Sequence, residues 1–414
     1  MNDPYLECVG CGRDYPMNTV NARCGECDEP LEVRFNPGSV PRDWFQTRSS
    51  RFFARRYAPF YPFLEPNPLF SLGEGQTSLL RSVFAAKKLG LKELFFKNET
   101  QNPTWTFKDR GTACSVQNAA ALGYRRFGTL SSGNMGASVA AYGSRAGMDT
   151  FIMLKDNVPQ EKIDALTIYG ARAFKVYGDY AKLYARLLEI GNQHQIYFSL
   201  SDDPLRVEGY KSLAFELLEQ LDGLPPDFLA LPLGSGGLCR GILKGFEELR
   251  DSGITSRIPR FIGIQADGNS PTVDAFVTGA DRIERFENSR TLDHVLENPY
   301  PPSGNQVLRK LRAGRGLLLK VANRAVLKAM RLLALEGIFA QPASATALAG
   351  LMQAVGNKMI PSDSRVVVVV TGSGLKYPPV LKEFDFSPVA VELDQLPQAL
   401  EAVVHGDFSV TFFK

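Results

Sequence analysis

One lysine at a helix start, three turns rich in glycine or hydroxyl groups, and two cysteine pairs are the residues here whose types and spacing can do chemistry. The lysine lies in Asn102-Pro-Thr-Trp-Thr-Phe-Lys108-Asp-Arg-Gly111. Pro103 fixes a turn, and Thr106 with Asp109 three residues on has the spacing of a capping box. Thr112, Ala113, Val116, Ala119, Ala120 and Leu122 continue at mostly helical spacing. Lys108 is therefore expected in a first helical turn. The positive helix end disfavours its ammonium form and leaves the amine more nucleophilic. Such an amine can form a Schiff base with an aldehyde cofactor. Taken alone, a surface lysine beside a capping aspartate is the simpler reading.

The turns change that balance. Gly234-Ser235-Gly236-Gly237 follows a strand pattern and opens a helix running to Leu249, where bare amides cradle a phosphate. Ser131-Ser132-Gly133-Asn134 offers hydroxyls, amides and a carboxamide at a second helix start, a place that suits a carboxylate. Thr371 ends a buried strand, where its hydroxyl can meet a ring nitrogen. Each turn has an ordinary structural reading. Together with Lys108 they describe one ligand, pyridoxal phosphate carrying an amino acid. Only three histidines are present, none beside a serine or cysteine motif, so hydrolase triads have little support.

The cysteine pairs stand apart from this constellation. Cys8-x2-Cys11 and Cys24-x2-Cys27, within residues 1–35, have the spacing of a closed four-cysteine zinc ribbon of structural type. Cys114 and Cys239 stand alone in helical patterns. The 414 residues carry a formal net charge of +3 and are 44% hydrophobic, which demands neither nucleic acid nor an anionic membrane as partner. No apolar run reaches the length of a membrane span, and the N-terminus lacks a basic and apolar leader, so a cytoplasmic location is expected.

Positioning these residues requires a parallel sheet. Residues 36–70, rich in Pro, Arg and aromatics (Trp44, Arg48, Arg51, Phe52, Phe53, Arg55, Arg56, Tyr57), read as a connector that packs its rings and keeps its arginines in water. Strands are expected at Leu94–Lys97, Phe127–Leu130, Thr150–Leu154, Ala173–Val176, Phe228–Leu233, Phe261–Gln265 and Val366–Val370. Helices follow from Lys108, Met135, Gln160, Tyr180, Gly237 and near Pro271. The alternation predicts an α/β fold with helices on both faces, and a ligand at the carboxyl ends of the strands. The catalytic region is expected over 71–384, with a small subdomain at about 95–200 inserted in a larger one. Residues 385–414 are expected to form an extension with a short helix and a terminal strand at Phe408–Phe413.

Leu72-Gly-Glu-Gly-Gln-Thr77, the Asn102–Gly111 stretch, Ser131–Gly136, Arg206-Val-Glu-Gly-Tyr-Lys211, Gly234–Gly237, Gln341-Pro-Ala-Ser344 and Thr371-Gly-Ser-Gly-Leu-Lys376 occur in an order that resembles the threonine synthase family. These are fold-type II pyridoxal phosphate enzymes, also called the tryptophan synthase β-subunit family. The resemblance implies two open parallel-sheet α/β subdomains, a homodimer and a carbon–oxygen lyase that turns O-phosphohomoserine into L-threonine. It implies that Lys108 carries the cofactor and moves protons, and that Asn134 bonds its phenolic oxygen. Gly234, Ser235, Gly236, Gly237 and Leu238 would hold its phosphate, and Thr371 would face the ring nitrogen. Ser131 and Ser132 would hold the substrate carboxylate, with Ser201, Arg206 and Lys211 toward its distal phosphate.

The chain departs from the family pattern at Trp105-Thr106, Met135, Tyr210, Ser235 and Ser373, and places Asp202 and Asp203 beside the expected phosphate, where like charge is unfavourable. Two alternatives follow: a related enzyme performing replacement or elimination on another activated amino acid, and a non-catalytic binding protein that kept the fold.

Overall fold

The structure is a computed structural model that describes residues 3–20, 23–36, 38, 40, 50, 52–178, 180–292, 294–384, 386 and 390–405. Residues 1–377 form one compact unit and 378–414 a second. Among the described residues, the first contains three sheets. β1 (Tyr5–Cys8), β2 (Asp14–Pro16) and β3 (Leu31–Arg34) make an antiparallel ribbon in the order β2-β1-β3, with Leu6 opposite Val33. Leu6, Leu31 and Val33 give this ribbon its own buried core.

The larger sheet is built from β4 (Leu79–Arg81), β5 (Glu93–Asn98), β10 (Phe228–Pro232), β11 (Arg260–Ala266), β12 (Leu317–Val321) and β13 (Arg365–Val370), in the order β12-β11-β10-β13-β5-β4. All neighbours are parallel except β4, which runs antiparallel to β5 at the edge. The five valines of β13 are fully buried, as an unbroken β-branched run should be in a strand covered on both faces. The smaller sheet is all parallel: β6 (Arg126–Leu130), β7 (Asp149–Lys155), β8 (Arg172–Val176) and β9 (Ile196–Phe198), in the order β8-β7-β6-β9. The expected strands and their helices are present, with strand ends and helix starts shifted by one residue at most. The short strands β4, β9 and β12 escaped the sequence pattern.

Three helices pack in series. The lysine helix (Lys108–Ala121) packs against the Arg206 helix (Pro204–Gln220), which packs in turn against the helix after the glycine turn (Gly237–Asp251). Glycines permit this approach. A Cβ on Gly209 would lie 2.1 Å from the Arg110 carbonyl oxygen, and one on Gly241 would lie 2.7 Å from that of Val207. The connector covers the same helices. Tyr57, Phe60 and Tyr61 place their rings within 6.3 Å of the Phe215 ring, and Arg56 and the Tyr57 hydroxyl bond Glu219. Trp44, Arg48 and Arg51 lie outside the described residues.

The second unit has a helix at Leu396–His405; the expected strand at 408–413 falls outside the described residues.

Candidate active site

The turn before Lys108 is folded by its own polar side chains. Trp105 donates its amide to the Asn102 carbonyl at 2.7 Å, closing the turn that Pro103 begins. Asn102 accepts from the Gly75 amide at 3.0 Å and donates to Glu99. Asp109 turns back to accept from the Thr104 amide and hydroxyl, both at 2.6 Å. The expected capping box is therefore absent: Phe107 is the N-cap, without a side-chain bond, and the Thr106 hydroxyl donates to the Thr371 carbonyl at 3.2 Å. Thr371 also accepts from the Phe107 amide, so the lysine turn is sewn directly to the end of β13. Trp105 adopts φ +61° with its side chain half in solvent. A bulky residue there costs on the order of 1 kcal/mol, held by the loop's bonds.

The three charged residues Lys108, Asp109 and Arg110 face three environments. Arg110 is fully buried between Glu99 and Glu216, with contacts of 2.6 Å to each, and Lys97 reaches Glu216 at 2.8 Å. Burial pushes these carboxyls up, but the Arg110 charge more than offsets it and holds both below the usual carboxylate range. Lys108 has no such partner among the described residues. Burial first, and the Arg206 guanidinium second, bring its amine down to about 7. At neutral pH much of it is an uncharged nucleophile, the property a Schiff-base lysine requires.

The residues expected to act with Lys108 are placed by other strand and helix ends. Asn134 begins its helix (Asn134–Arg145) and donates to Gln341 Oε1 at 3.2 Å, and Ser131 and Ser132 line the turn before it, half exposed. The Thr371 hydroxyl lies 3.0 Å from that of Ser344, whose oxygen also accepts from the Gly372 amide. Gly234 and Ser235 are half buried and Gly236, Gly237 and Leu238 buried. Gly236 sits at φ +89° and caps the helix that begins at Gly237, leaving the amides of that first turn for an anion. The Ser303 amide braces the cup from behind by donating to the Ser235 carbonyl at 3.0 Å.

Arg206 is fully buried, and its described partners are hydroxyls: Thr112 at 3.1 Å, Ser199 at 3.3 Å and Tyr210 at 2.7 Å. Its Nε has no partner among the described residues. A buried guanidinium left with an unused donor suits an incoming anion. Tyr210 is one turn on, on the same helix face, and packs its ring against Phe107. Ser201 reaches toward Met135, with its hydroxyl 3.9 Å from the sulfur.

Lys211 belongs elsewhere. It is five residues after Arg206 and so about 140° round the helix. It is fully buried in contact with Glu208 and Glu248, donates to the Phe60 carbonyl, and lies 4.7 Å from the Tyr61 ring. It is a packing lysine, not a phosphate ligand. Nor are Asp202 and Asp203 exposed to the expected phosphate. Asp203 caps the Arg206 helix and accepts from Ser115, while Asp202 pairs with Arg23 at 2.7 Å and accepts from Tyr184. Gln341 and Ser344 entered the sequence reading only within the Gln341–Ser344 motif and Thr112 only in the helical spacing, none with a role of its own, because each acts through a neighbour distant in sequence.

In the ribbon, the Sγ atoms of Cys8, Cys11, Cys24 and Cys27 lie within 4.8 Å of one another, and none is in a disulfide. Tetrahedral zinc at about 2.3 Å from sulfur would set these separations at about 3.8 Å. The Gly10 and Glu26 amides point at Cys8 and Cys24. The four residues fit such an ion.

A family profile described as pyridoxal-phosphate dependent enzyme matches residues 70–372, and the chain belongs to that family. Within it the chain is 34% identical over 391 residues to a threonine synthase of Methanocaldococcus jannaschii, covering 94% of this chain and 96% of the relative. It is also 34% identical over 400 residues to a threonine synthase of Methanosarcina acetivorans, covering 96% and 98%. Among solved structures it shares its fold with diaminopropionate ammonia lyase of Escherichia coli, with a TM-score of 0.65 and 20% identity, covering 84% of this chain and 94% of that one. Threonine deaminase isoform 2 of Solanum lycopersicum gives a TM-score of 0.64 and 18% identity, covering 89% and 90%. The fold is that of fold-type II pyridoxal phosphate enzymes. Among the described residues, no helix is long and apolar enough to cross a membrane.

Proposed function

We propose that this chain is a lyase of the threonine synthase type, releasing phosphate from O-phosphohomoserine and adding water to give L-threonine. The observation that carries the reading is Arg206: a fully buried guanidinium beside Lys108, bonded to hydroxyls, with its Nε unpartnered among the described residues. Threonine synthases similar over nearly the whole chain support the same substrate.

Bound pyridoxal phosphate supplies the electron sink that loosens bonds around the amino-acid carbon. The Gly234–Leu238 cup holds its phosphate, Asn134 its phenolic oxygen, and the Thr371 hydroxyl its ring nitrogen. Ser131 and Ser132 bind the substrate carboxylate, and Arg206 with Ser201 takes the distal phosphate. Lys108 tethers the cofactor and then works as a base: with its amine down to about 7, Nζ can take a proton from substrate and return it near neutral pH. Tyr210 keeps Arg206 oriented by accepting its Nη2. The four cysteines hold a structural zinc, and the enzyme works as a cytoplasmic homodimer.

Purified holoenzyme should show a visible cofactor band that disappears in Lys108→Ala, and should release phosphate from O-phosphohomoserine. Arg206→Gln should keep the band and raise KM about 30- to 150-fold, the loss of roughly 2–3 kcal/mol from an unpaired buried contact. If O-phosphohomoserine neither perturbs the band nor yields phosphate, the substrate assignment is wrong.

A further inference from the structure

The ribbon touches the catalytic unit at a place with electrical consequences. Arg23, next to Cys24, sends Nη1 out to the Asp202 carboxylate at 2.7 Å and to the Pro302 carbonyl at 3.5 Å. Asp202 is fully buried and receives the Tyr184 hydroxyl at 2.5 Å. It stands between two anion-seeking elements. Ser201, the residue before it, closes its carbonyl on Gly237 of the cup, within 3.3 Å of where a Cβ there would lie. Arg206 lies four residues after it, in the first turn of the helix that Asp203 caps. Pro302 precedes Ser303, which braces Ser235.

A buried carboxylate at this junction acts in two harmful ways. It repels an incoming phosphate, and it competes for the Arg206 guanidinium, whose Nε has no partner among the described residues. Both effects are strong where water is excluded. An ion pair cancels the charge and directs the carboxylate away.

We infer that Arg23 is a positioning residue for the catalytic site: by pairing with Asp202 it leaves Arg206 available to the substrate's phosphate. The ribbon thereby sets the anion affinity of a site to which it contributes no contacting group. This rests on the reading of Arg206 as an anion ligand, and the test separates the two. Arg23 is only partly exposed, with 22% of its side chain in solvent, and its second partner is Asp28 of the same ribbon, at 2.9 Å. Its position is therefore set from the ribbon side. Asp202 draws on no other described cation within ion-pairing distance in the structure.

The probe is inorganic phosphate titrated into holoenzyme, in which the cofactor already fills the Gly234–Leu238 cup, with the visible band as readout of an intact site. Arg23→Gln should keep the band and weaken phosphate binding about tenfold, which corresponds to about 1.4 kcal/mol. Arg23→Lys should stay within about threefold of wild type, and Arg23→Gln/Asp202→Asn should return to that range, because the offending charge is then gone. A purely structural strut would not be rescued by Asp202→Asn, so failure of the double variant to recover overturns the inference, as does an Arg23→Gln protein that binds like wild type. If Arg23→Gln does not fold, Asp202→Asn alone decides: phosphate affinity should rise several-fold, and an unchanged affinity overturns the inference. Wild-type holoenzyme that binds no phosphate overturns the reading of Arg206 and this inference with it.

Discussion

The Lys108 amine is held low because its environment offers it burial and a like charge but, among the described residues, no carboxylate. Its ordinary value lies near 10.4, so the shift to about 7 moves its deprotonation into the neutral range. Apo-protein should therefore capture pyridoxal phosphate at a rate that rises about tenfold per pH unit below 7 and levels off above about pH 8, followed as growth of the visible band. A rate flat from pH 5 to 9 would mean that the amine is not depressed. The same shift costs stability in full below about pH 7, where the buried amine must be charged, and this cost falls away as pH rises from about 7 to 10. Trp105 makes a separate prediction. Trp105→Gly removes a left-handed strain without emptying the core, so stability should rise by roughly 0.5–1 kcal/mol, read from a denaturant midpoint at unchanged slope. Lys108 was legible because several turns pointed at one ligand. Arg23 was not, since its partner is 179 residues away.

The lysine helix is fixed about its own axis by the residues that flank the amine. Asp109 holds the entering turn, and Arg110, between Glu99 and Glu216, sets the rotation that aims Lys108 at the site. Arg110→Met would strand two buried carboxylates and should destabilise the fold by about 3–5 kcal/mol, with loss of the cofactor band at moderate denaturant. Gly209→Ala tests the crossing itself: its Cβ meets a backbone oxygen that cannot rotate aside, and a loss of about 1–3 kcal/mol is expected on thermal unfolding. Sequence spacing located this helix and its start at Lys108 but misread its cap. A Thr-x-x-Asp pattern is also what a loop folded back on its aspartate looks like. It misjudged Lys211 for a related reason, since a motif written as a string hides the turn of the helix. The strands were easier: β13 and β10 carry apolar runs that no exposed element would keep.

At the scale of the molecule, the ribbon is bound to the catalytic unit through charge. Glu32 is fully buried against Arg34 at 3.1 Å and Arg240 at 3.6 Å, and Asn305 and Arg309 bond Glu29. Burial pushes Glu32 up, but the Lys244 and Arg240 charges outweigh it and hold its carboxyl below the usual range. Stability from Glu32, Glu99 and Glu216 is therefore present above the unfolded carboxylate value of about 4.3 and is lost as pH falls through their depressed values. Acid should release the ribbon and loosen the helix core, measurable as falling midpoints below about pH 4. Metal analysis should find one zinc per chain, lost in Cys24→Ser along with protease resistance of residues 1–35; a lower zinc content in wild-type protein would refute the metal assignment. The paired cysteines were plain in the sequence, whereas the surface that receives them is assembled from residues 200 to 310 and has no local pattern.

The position of β13 in the larger sheet reaches beyond the finished enzyme. It is the last strand of the first unit to be synthesised, yet it lies between β10 and β5, and its end carries Thr371, to which the lysine turn is tied. About 270 residues separate the end of β5 from the end of β13, which at roughly 5–20 residues per second is on the order of 15–50 s of translation. Through that interval β5 presents an open edge to the cell, joined by β10 once residue 232 is made, each awaiting the same absent neighbour. A ribosome stalled before residue 365 would hold a chain with its reactive lysine made but no site to put it in. The gap in the sheet is thus where a nascent chain is most exposed to aggregation and where a chaperone has most to protect.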